Sequence, residues 1–283
     1  MERIDGETAF ITGGARVIGL GIARTFAHEG AKLALVDIDE AALNAARTEL
    51  SGHTSVETFV LDVRDREAYA RVADETEARL GPVSILCNNA GVASGADVAH
   101  MTYEHWDWVM GINLNGVING IQTFVPRMIE HKIKAHIVNT ASGAGLIAAG
   151  SGLQYPTSKF AVVGLSEALR CELKRFGIGV SVLCPGPVAT RIIQNTLAFP
   201  DRPRIAMTPE ESEMSDKGIA QLSAYLAKGV APDEVGRMVL AGVKANRMYI
   251  ITDRAIGDLI TARTKALLDA IPASSPRAST PPI

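Results

Sequence analysis

Short runs of aliphatic and β-branched residues alternate along the chain with stretches whose apolar positions recur every three or four residues. The runs at 8–12, 32–37, 56–61, 84–88, 135–141, 179–184 and 248–252 read as strands. Between the third and fourth, residues 65–80 place Ala68, Val72, Ala73, Thr76 and Leu80 on one helical face, the pattern of a crossover helix. Strand, helix and strand in repetition imply a parallel sheet. Such a sheet is covered on both faces, which explains why LALV at 33–36, ILC at 85–87 and VSVLC at 180–184 are apolar with little polar alternation. The expected fold is α/β, with a single doubly wound parallel sheet and no internal repeat. One helix is expected over 103–131, with Trp106 and Trp108 as packing or subunit-interface residues.

Two regions break the rhythm. Residues 191–230 are rich in Pro, Met, Ser and charge, with Pro200, Pro203 and Pro209 closely spaced. That is too long for a plain connection and reads as a lid after the sixth strand. Residues 254–271 put Ile256, Leu259, Ile260, Leu267, Leu268 and Ile271 at helical spacing before Pro272, a helix expected to close a pocket or a subunit interface. Residues 272–283 read as a disordered tail. The organisation expected is therefore a dinucleotide-binding and catalytic domain over 1–253, a C-terminal helix and a tail.

Composition narrows the function. The 283 residues are 47% hydrophobic and 21% charged with a formal net charge of −3, and no basic run offers a footprint for nucleic acid or an anionic membrane. The stretch 135–158 lacks charge, but Gly143, Gly145, Gly150, Gly152 and Pro156 interrupt it, so it is not read as a membrane span. Acids at Glu2, Asp5 and Glu7 replace the basic start of a secretory signal. Cys87, Cys171 and Cys184 lie far apart in apolar contexts and read as buried thiols of a reducing, cytoplasmic compartment.

The first strand runs into Thr12-Gly13-Gly14-Ala15-Arg16-Val17-Ile18-Gly19-Leu20-Gly21 and then a helix. A glycine turn there lets main-chain N–H groups approach a pyrophosphate, whose charge the helix N-terminus favours. Asp37 ends the second strand, where a carboxylate can accept hydrogen bonds from the adenosine ribose hydroxyls. Its alternative role is helix capping, which Asp39 could perform equally well. Asp37 repels a 2′-phosphate and argues for NAD; Arg16 could pair with one and argues for NADP. The carboxylate outweighs the arginine because no basic residue follows it in Asp37-Ile38-Asp39.

Ser142 closes the fifth strand, Tyr155 follows thirteen residues on, and Lys159 lies four beyond it, on the same face of a helix. Pro156 suits a first helical turn and puts Tyr155 where the helix dipole favours a phenolate. An ordinary tyrosine titrates near ~10, so proton acceptance near neutrality calls for the adjacent cation of Lys159. With the glycine turn, Asp37, Asp62-Val63, Asn88-Asn89-Ala90-Gly91, Asn113 in Ile112-Asn113-Leu114 and Pro185-Gly186 with Thr190, these residues resemble the short-chain dehydrogenase/reductase family, of Rossmann type, up to about Thr252. The resemblance implies a catalytic tetrad of Asn113, Ser142, Tyr155 and Lys159. It implies cofactor contacts from Gly13, Arg16, Ile18, Gly19 and Asp37, from Asp62 and Val63 to adenine, from Asn89 to the adenosine ribose, and from Pro185, Val188 and Thr190 at the nicotinamide end. Lys159 would also bond the nicotinamide ribose and Asn113 would position a relay water; an Asn113 that merely kinks its helix is the alternative. Val17 departs from the family, which has glycine there: either the turn shifts outward or the valine is strained.

By the same resemblance the substrate meets Ser142, Tyr155, residues 143–146, Gln154 and the lid. Glycines and alanines beside Ser142 leave room for a bulky group, and Gln154 is either a partner for a polar substituent or a solvated helix-start residue. The segments DREAYARVADETEARLG and YEHWDWVMGINLNGVINGIQTFVPRMIE are similar to those of bacterial NAD-dependent dehydrogenases acting on benzylic alcohols of aryl ethers. The expected activity is hydride transfer between NAD and a bulky secondary alcohol or ketone, with no metal, in a homodimer or homotetramer built around Met110 and Leu165. The alternatives are an NADPH-dependent keto-reductase of fatty-acid or polyketide type and a nucleotide-sensing regulator on the same fold.

Overall fold

The apolar runs pair into one sheet in the computed structural model, which describes residues 1–93, 98–148, 152–190 and 192–272. The strands are β1 (Thr8–Thr12), β2 (Lys32–Asp37), β3 (Val56–Val60), β4 (Val83–Asn88), β5 (His136–Thr140), β6 (Gly179–Cys184) and β7 (Tyr249–Ile251). They lie in the order β3-β2-β1-β4-β5-β6-β7, every neighbouring pair parallel. The order reverses between β1 and β4, so the loops leaving their C-terminal ends open a crevice where an α/β sheet binds its ligand.

The helices are α1 (Val17–His28), α2 (Glu40–Leu50), α3 (Arg66–Leu80), α4 (Tyr103–Met110), α5 (Gly116–His131), α6 (Gln154–Leu173), α7 (Ile192–Leu197), α8 (Pro209–Leu226), α9 (Pro232–Lys244) and α10 (Gly257–Asp269). One core joins the sheet to α1, α2 and α9 through Ile22, Phe26, Leu33, Leu35, Leu43, Val235 and Val239. The other joins it to α3 and α5 through Phe10, Tyr69, Leu86 and Phe124, with the Phe10 and Phe124 rings 4.7 Å apart. Burying both faces is what made the strands legible as apolar runs. Asp65 caps α3 by accepting from the Ala68 N–H at 2.9 Å, and Tyr69, outside the expected stripe, is completely buried with it.

Three elements differ from the reading above. The expected helix over 103–131 is α4 and α5 joined by a π-helical segment, Gly111–Asn115. The lid contains two helices, α7 and α8, and is pinned at its neck by Ala189 N–H to Val230 O at 2.9 Å and Val230 N–H to Pro187 O at 3.0 Å. The C-terminal stripe begins as a 3-10 turn, Arg254–Ile256, before α10; residues 273–283 of the expected tail lie outside the described residues. Cys87 and Cys184 are buried as expected, but Cys171 is exposed, because it falls on the outer side of α6, between the charged Arg170 and Glu172. No helix among the described residues is long and apolar enough to cross a membrane.

Candidate active site

The β1–α1 turn is shaped for close approach. Gly13 has φ +61°, and a Cβ on Gly19 would stand 2.0 Å from the Gly13 carbonyl oxygen, so only glycine fits there. Helix α1 starts without a side-chain cap, which leaves its first-turn N–H groups available to an anion. Val17 has φ +48°, a left-handed conformation that a β-branched residue adopts only under strain. Of the two outcomes expected at Val17, the strained side chain is the one found.

Asp39, not Asp37, caps α2, accepting from the Ala42 N–H at 2.9 Å. Asp37 stands half-buried at the end of β2 and accepts from the Asp39 N–H at 3.2 Å. Burial pushes its carboxyl above the usual range, against main-chain N–H groups of Asp39, Ile38 and Ala15 and the charge of Arg16. Arg16 is ion-paired with Asp39 and reaches Asn195 of α7 at 3.5 Å, so its charge is already matched.

Asp62 is gripped by Arg64, with Nε to Oδ1 at 3.0 Å and Nη2 to Oδ2 at 2.5 Å. Burial acts to raise the Asp62 carboxyl, but the Arg64 hydrogen bonds win and hold it below the usual carboxylate range. Val63 is buried, its carbonyl accepting from Asn119 Nδ2 at 2.8 Å, so its side chain faces the core. The Asn89 amide donates to the carbonyls of Thr12 at 3.1 Å and Gly13 at 3.3 Å, and its Oδ1 accepts from Thr140 Oγ1 at 3.3 Å. Its side chain thus ties β1, β4 and β5 together, and its main-chain N–H donates to Thr12 Oγ1 at 2.9 Å. Ile18 packs on the α1 core, Pro185 accepts from the Gly143 N–H at 2.8 Å, Val188 is buried in a bridge to Val230, and Thr190 is half-exposed at the lid's neck.

At the end of β5 the Ser142 backbone is extended, and Oγ accepts from the Ala144 N–H at 3.2 Å. Tyr155 lies in the first turn of α6, where Ser142 acts to lower its phenol. Lys159, one turn later, puts Nζ 5.7 Å from the Tyr155 ring centroid and donates to the Thr140 carbonyl at 3.1 Å. Burial raises the Tyr155 phenol above its ordinary value against Ser142, and burial lowers Lys159 to about 8. Burial is the larger influence on the phenol, and it opposes the activation expected from Lys159.

Asn113 lies in the π segment, completely buried. Its Nδ2 donates to Val92 O at 3.0 Å and Ser158 Oγ at 3.1 Å, and its Oδ1 accepts from the Val92 N–H at 2.8 Å. A Cβ on Gly91 would stand 3.2 Å from Asn113 Oδ1 and 3.4 Å from Lys159 Nζ, so these two tetrad members flank one glycine. The π turn and the tetrad position coincide, as π turns often do with functional sites.

Two expectations need correction. Gln154 is completely buried, both polar atoms of its amide without a hydrogen-bond partner among the described residues, so it is not a solvated helix-start residue. The reason is helical geometry: it lies one turn before Ser158, on the face that meets Asn113. The glycines beside Ser142 make room for the protein itself. A Cβ on Gly143 would stand 2.8 Å from Ile256 Cδ1, and one on Gly145 would stand 2.5 Å from the Lys159 carbonyl oxygen.

The lid contributes residues that no motif announced. Asp201 accepts from Arg64 Nη2 at 2.6 Å and from Trp108 Nε1 at 3.1 Å, Phe199 meets Trp108 edge-on with centroids 5.4 Å apart, and Thr196 Oγ1 accepts from the Ala93 N–H at 3.0 Å. The lid therefore touches the glycine turn, the β3 loop and the β4 loop. The only advance signal was Arg64 beside Asp62.

The family model for short chain dehydrogenase matches residues 7–200. The chain belongs to the short-chain dehydrogenase/reductase family. It is 36% identical over 273 residues, 96% of this chain and 88% of the relative, to a C alpha-dehydrogenase of Sphingobium sp. strain SYK-6. A short-chain dehydrogenase/reductase of Burkholderia phymatum, solved in complex with NAD, shares 32% identity with a TM-score of 0.89 over 99% of this chain and 100% of that one. The apo form of LigO from Sphingobium sp. strain SYK-6 shares 35% identity with a TM-score of 0.80 over 95% of this chain and 90% of that one. As a member of this family the protein is an oxidoreductase working with a nicotinamide cofactor. The cradle at Gly13 and Gly19, the uncapped α1 and an Asp37 freed from capping fit such a dinucleotide.

Proposed function

We propose that this dehydrogenase transfers a hydride between NAD and a bulky, largely apolar secondary alcohol or ketone, with an aryl group on the reacting carbon. The observation that carries the reading is the Ser142–Tyr155–Lys159 constellation, with Asn113 flanking Lys159 across Gly91. When bound, the dinucleotide supplies the hydride acceptor or donor. Ser142 Oγ holds the substrate oxygen. In oxidation Tyr155 Oη takes the hydroxyl proton as the carbon loses its hydride, and in reduction it returns the proton. A charged Lys159 stabilises the phenolate that oxidation requires, and its value near 8 keeps it largely protonated at neutral pH.

The preference for NAD rests on charge. Asp37 would oppose a 2′-phosphate, and Arg16, the cation able to welcome one, is paired with Asp39. The same pairing weighs against an NADPH-dependent keto-reductase, and the complete tetrad weighs against a regulator that only senses nucleotide. The aryl class rests on the relative named C alpha-dehydrogenase and on the segments resembling benzylic alcohol dehydrogenases. The partners are that small molecule and one or three further copies, with the faces around Met110 and Leu165 as the interface, a state that sedimentation measures. The test is the absorbance of reduced nicotinamide when NAD is supplied with a panel of secondary alcohols. Bulky aryl carbinols should be turned over far faster than short aliphatic ones; equal rates across the panel, or activity with NADP alone, would remove the proposal.

A further inference from the structure

After β7 the chain turns back across the catalytic end of the sheet. Thr252 Oγ1 accepts from the Gly186 N–H at 3.0 Å, and a Cβ on Gly186 would stand 2.5 Å from the Asp253 Cβ, so residues 252 and 253 lie directly on the loop expected to carry the nicotinamide end. The Asp253 carboxylate then caps the 3-10 turn, accepting from the Ala255 N–H at 2.9 Å. This double anchor delivers Ile256 to Gly143, with Cδ1 2.8 Å from the place a Gly143 Cβ would occupy. Gly143 follows Ser142 directly, and its N–H is bonded to Pro185 O at 2.8 Å. Ile256 remains partly exposed, so an apolar side chain with a free surface stands beside the serine that holds the reacting oxygen. Helix α10, which continues from it, has no buried residue and rests on α6 through Arg263, 5.3 Å from the Phe160 ring centroid, so the anchors at Thr252 and Asp253 are the hydrogen-bonded hold on Ile256.

We infer that Ile256 is a specificity-determining residue, the wall that sets the width of the pocket next to Ser142. The inference rests on the alcohol dehydrogenase reading and adds which residue measures the substrate. Gly143 is its counterpart. Its missing Cβ is the notch in which Ile256 sits, and the atom in the notch is the far end of a flexible chain, so a methyl group at 143 would push Ile256 out into the cleft rather than displace backbone.

The experiment compares a phenyl and a biphenyl methyl carbinol as substrates with NAD, in the full-length enzyme and in Ile256→Ala, Ile256→Trp, Gly143→Ala and the Gly143→Ala/Ile256→Ala double variant, with NAD affinity followed separately by titration. A few carbons in an apolar pocket change discrimination by roughly ten- to two-hundredfold. Ile256→Ala should raise the biphenyl-to-phenyl ratio of kcat/KM by about tenfold or more. Ile256→Trp and Gly143→Ala should each lower it, and the double variant should recover most of what Gly143→Ala loses, all with NAD affinity unchanged within about twofold. A ratio that stays constant while both carbinols are turned over, or rates that fall equally for both, would overturn the assignment of Ile256 and leave the dehydrogenase reading standing. Absence of turnover of both carbinols and their ketones by the wild type, with NAD still bound, would overturn the dehydrogenase reading and this inference together.

Discussion

The two ends of the cleft are built by different means. At the adenosine end the polar side chains expected to meet the cofactor are already bonded to the protein: Asp37 to the Asp39 N–H, Asp62 to Arg64, Asn89 to Thr12, Gly13 and Thr140, Arg16 to Asp39. They sit on strand ends with a buried core beneath them. At the end proposed for the substrate the cleft is bordered by the lid and the C-terminal segment, and neither α8 nor α10 contains a buried residue. A pre-bonded site loses little conformational freedom on binding. Weakly buried helices open at low free energy, as elements that admit and release a substrate must. The residues proposed for the chemistry sit at the boundary but on the rigid side, Ser142 just after β5 and Tyr155 and Lys159 on α6. Asp201 joins the two ends, holding Arg64 of the adenosine side and Trp108 of α4 from within the lid.

The sharpest way to separate chemistry from cofactor binding is Tyr155→Phe. It should lower kcat by roughly 10² to 10⁴ while leaving NAD affinity nearly intact, because the dinucleotide is held by the strand-end loops. More than about a tenth of the activity retained would mean that another group moves the proton.

Asp37→Ala probes the adenosine end. Loss of one or two charged hydrogen bonds to the ribose should narrow the kcat/KM preference for NAD over NADP by roughly ten- to a hundredfold, measured at one ionic strength. A wild-type preference for NADP would show that Arg16 leaves Asp39 to bind a phosphate.

Asp201→Ala cuts the link between the ends. The Arg64 pair is partly exposed and worth no more than about 1 kcal/mol, and the Trp108 bond adds about as much. The expected outcome is a rise in KM of roughly five- to thirtyfold for both substrates, what a loss of about 1–2 kcal/mol implies, with faster tryptic cleavage after Arg204. Unchanged KM values with unchanged proteolysis would make the two ends independent.

The smallest effect belongs to Val17→Gly. Relief of left-handed strain should return roughly 1–2 kcal/mol, less roughly 0.4–1 kcal/mol for the freer unfolded chain, so thermal unfolding should move up by a few degrees. NAD affinity should change by less than about threefold, since the turn keeps the shape a glycine would give it. A tenfold gain in affinity would show that the valine side chain obstructs the pyrophosphate.

Much of the scaffold was legible because the physics behind it is local. A strand covered on both faces must be apolar throughout, so β1, β2 and β6 were bounded to the residue and β4 to within one; β7, at the sheet edge with Tyr249 and Ile251 exposed, was legible only as a β-branched run. Tyr155 and Lys159 were legible because four residues make one helical turn. Asn113 was read as a tetrad position from the resemblance, but its π turn was not read, since the apolar spacing over 103–131 runs through it without a break. Cys171 misled because its context was read as apolar, whereas it stands between the charged Arg170 and Glu172 on the outer side of α6.

What the sequence by itself determined is the parallel α/β sheet, the glycine turn at its first strand and the helical register that sets Tyr155 and Lys159 one turn apart, each encoded within a few consecutive residues. Tertiary structure decided which charges are free and which spaces are empty. Arg16 is matched only because α2 begins beside the glycine turn, Gln154 is sealed in only because α6 lies against the π segment, and the room beside Ser142 is filled by Ile256, more than a hundred residues along the chain. Such pairings depend on where distant segments are brought together in space, and spacing along the chain carries no record of that.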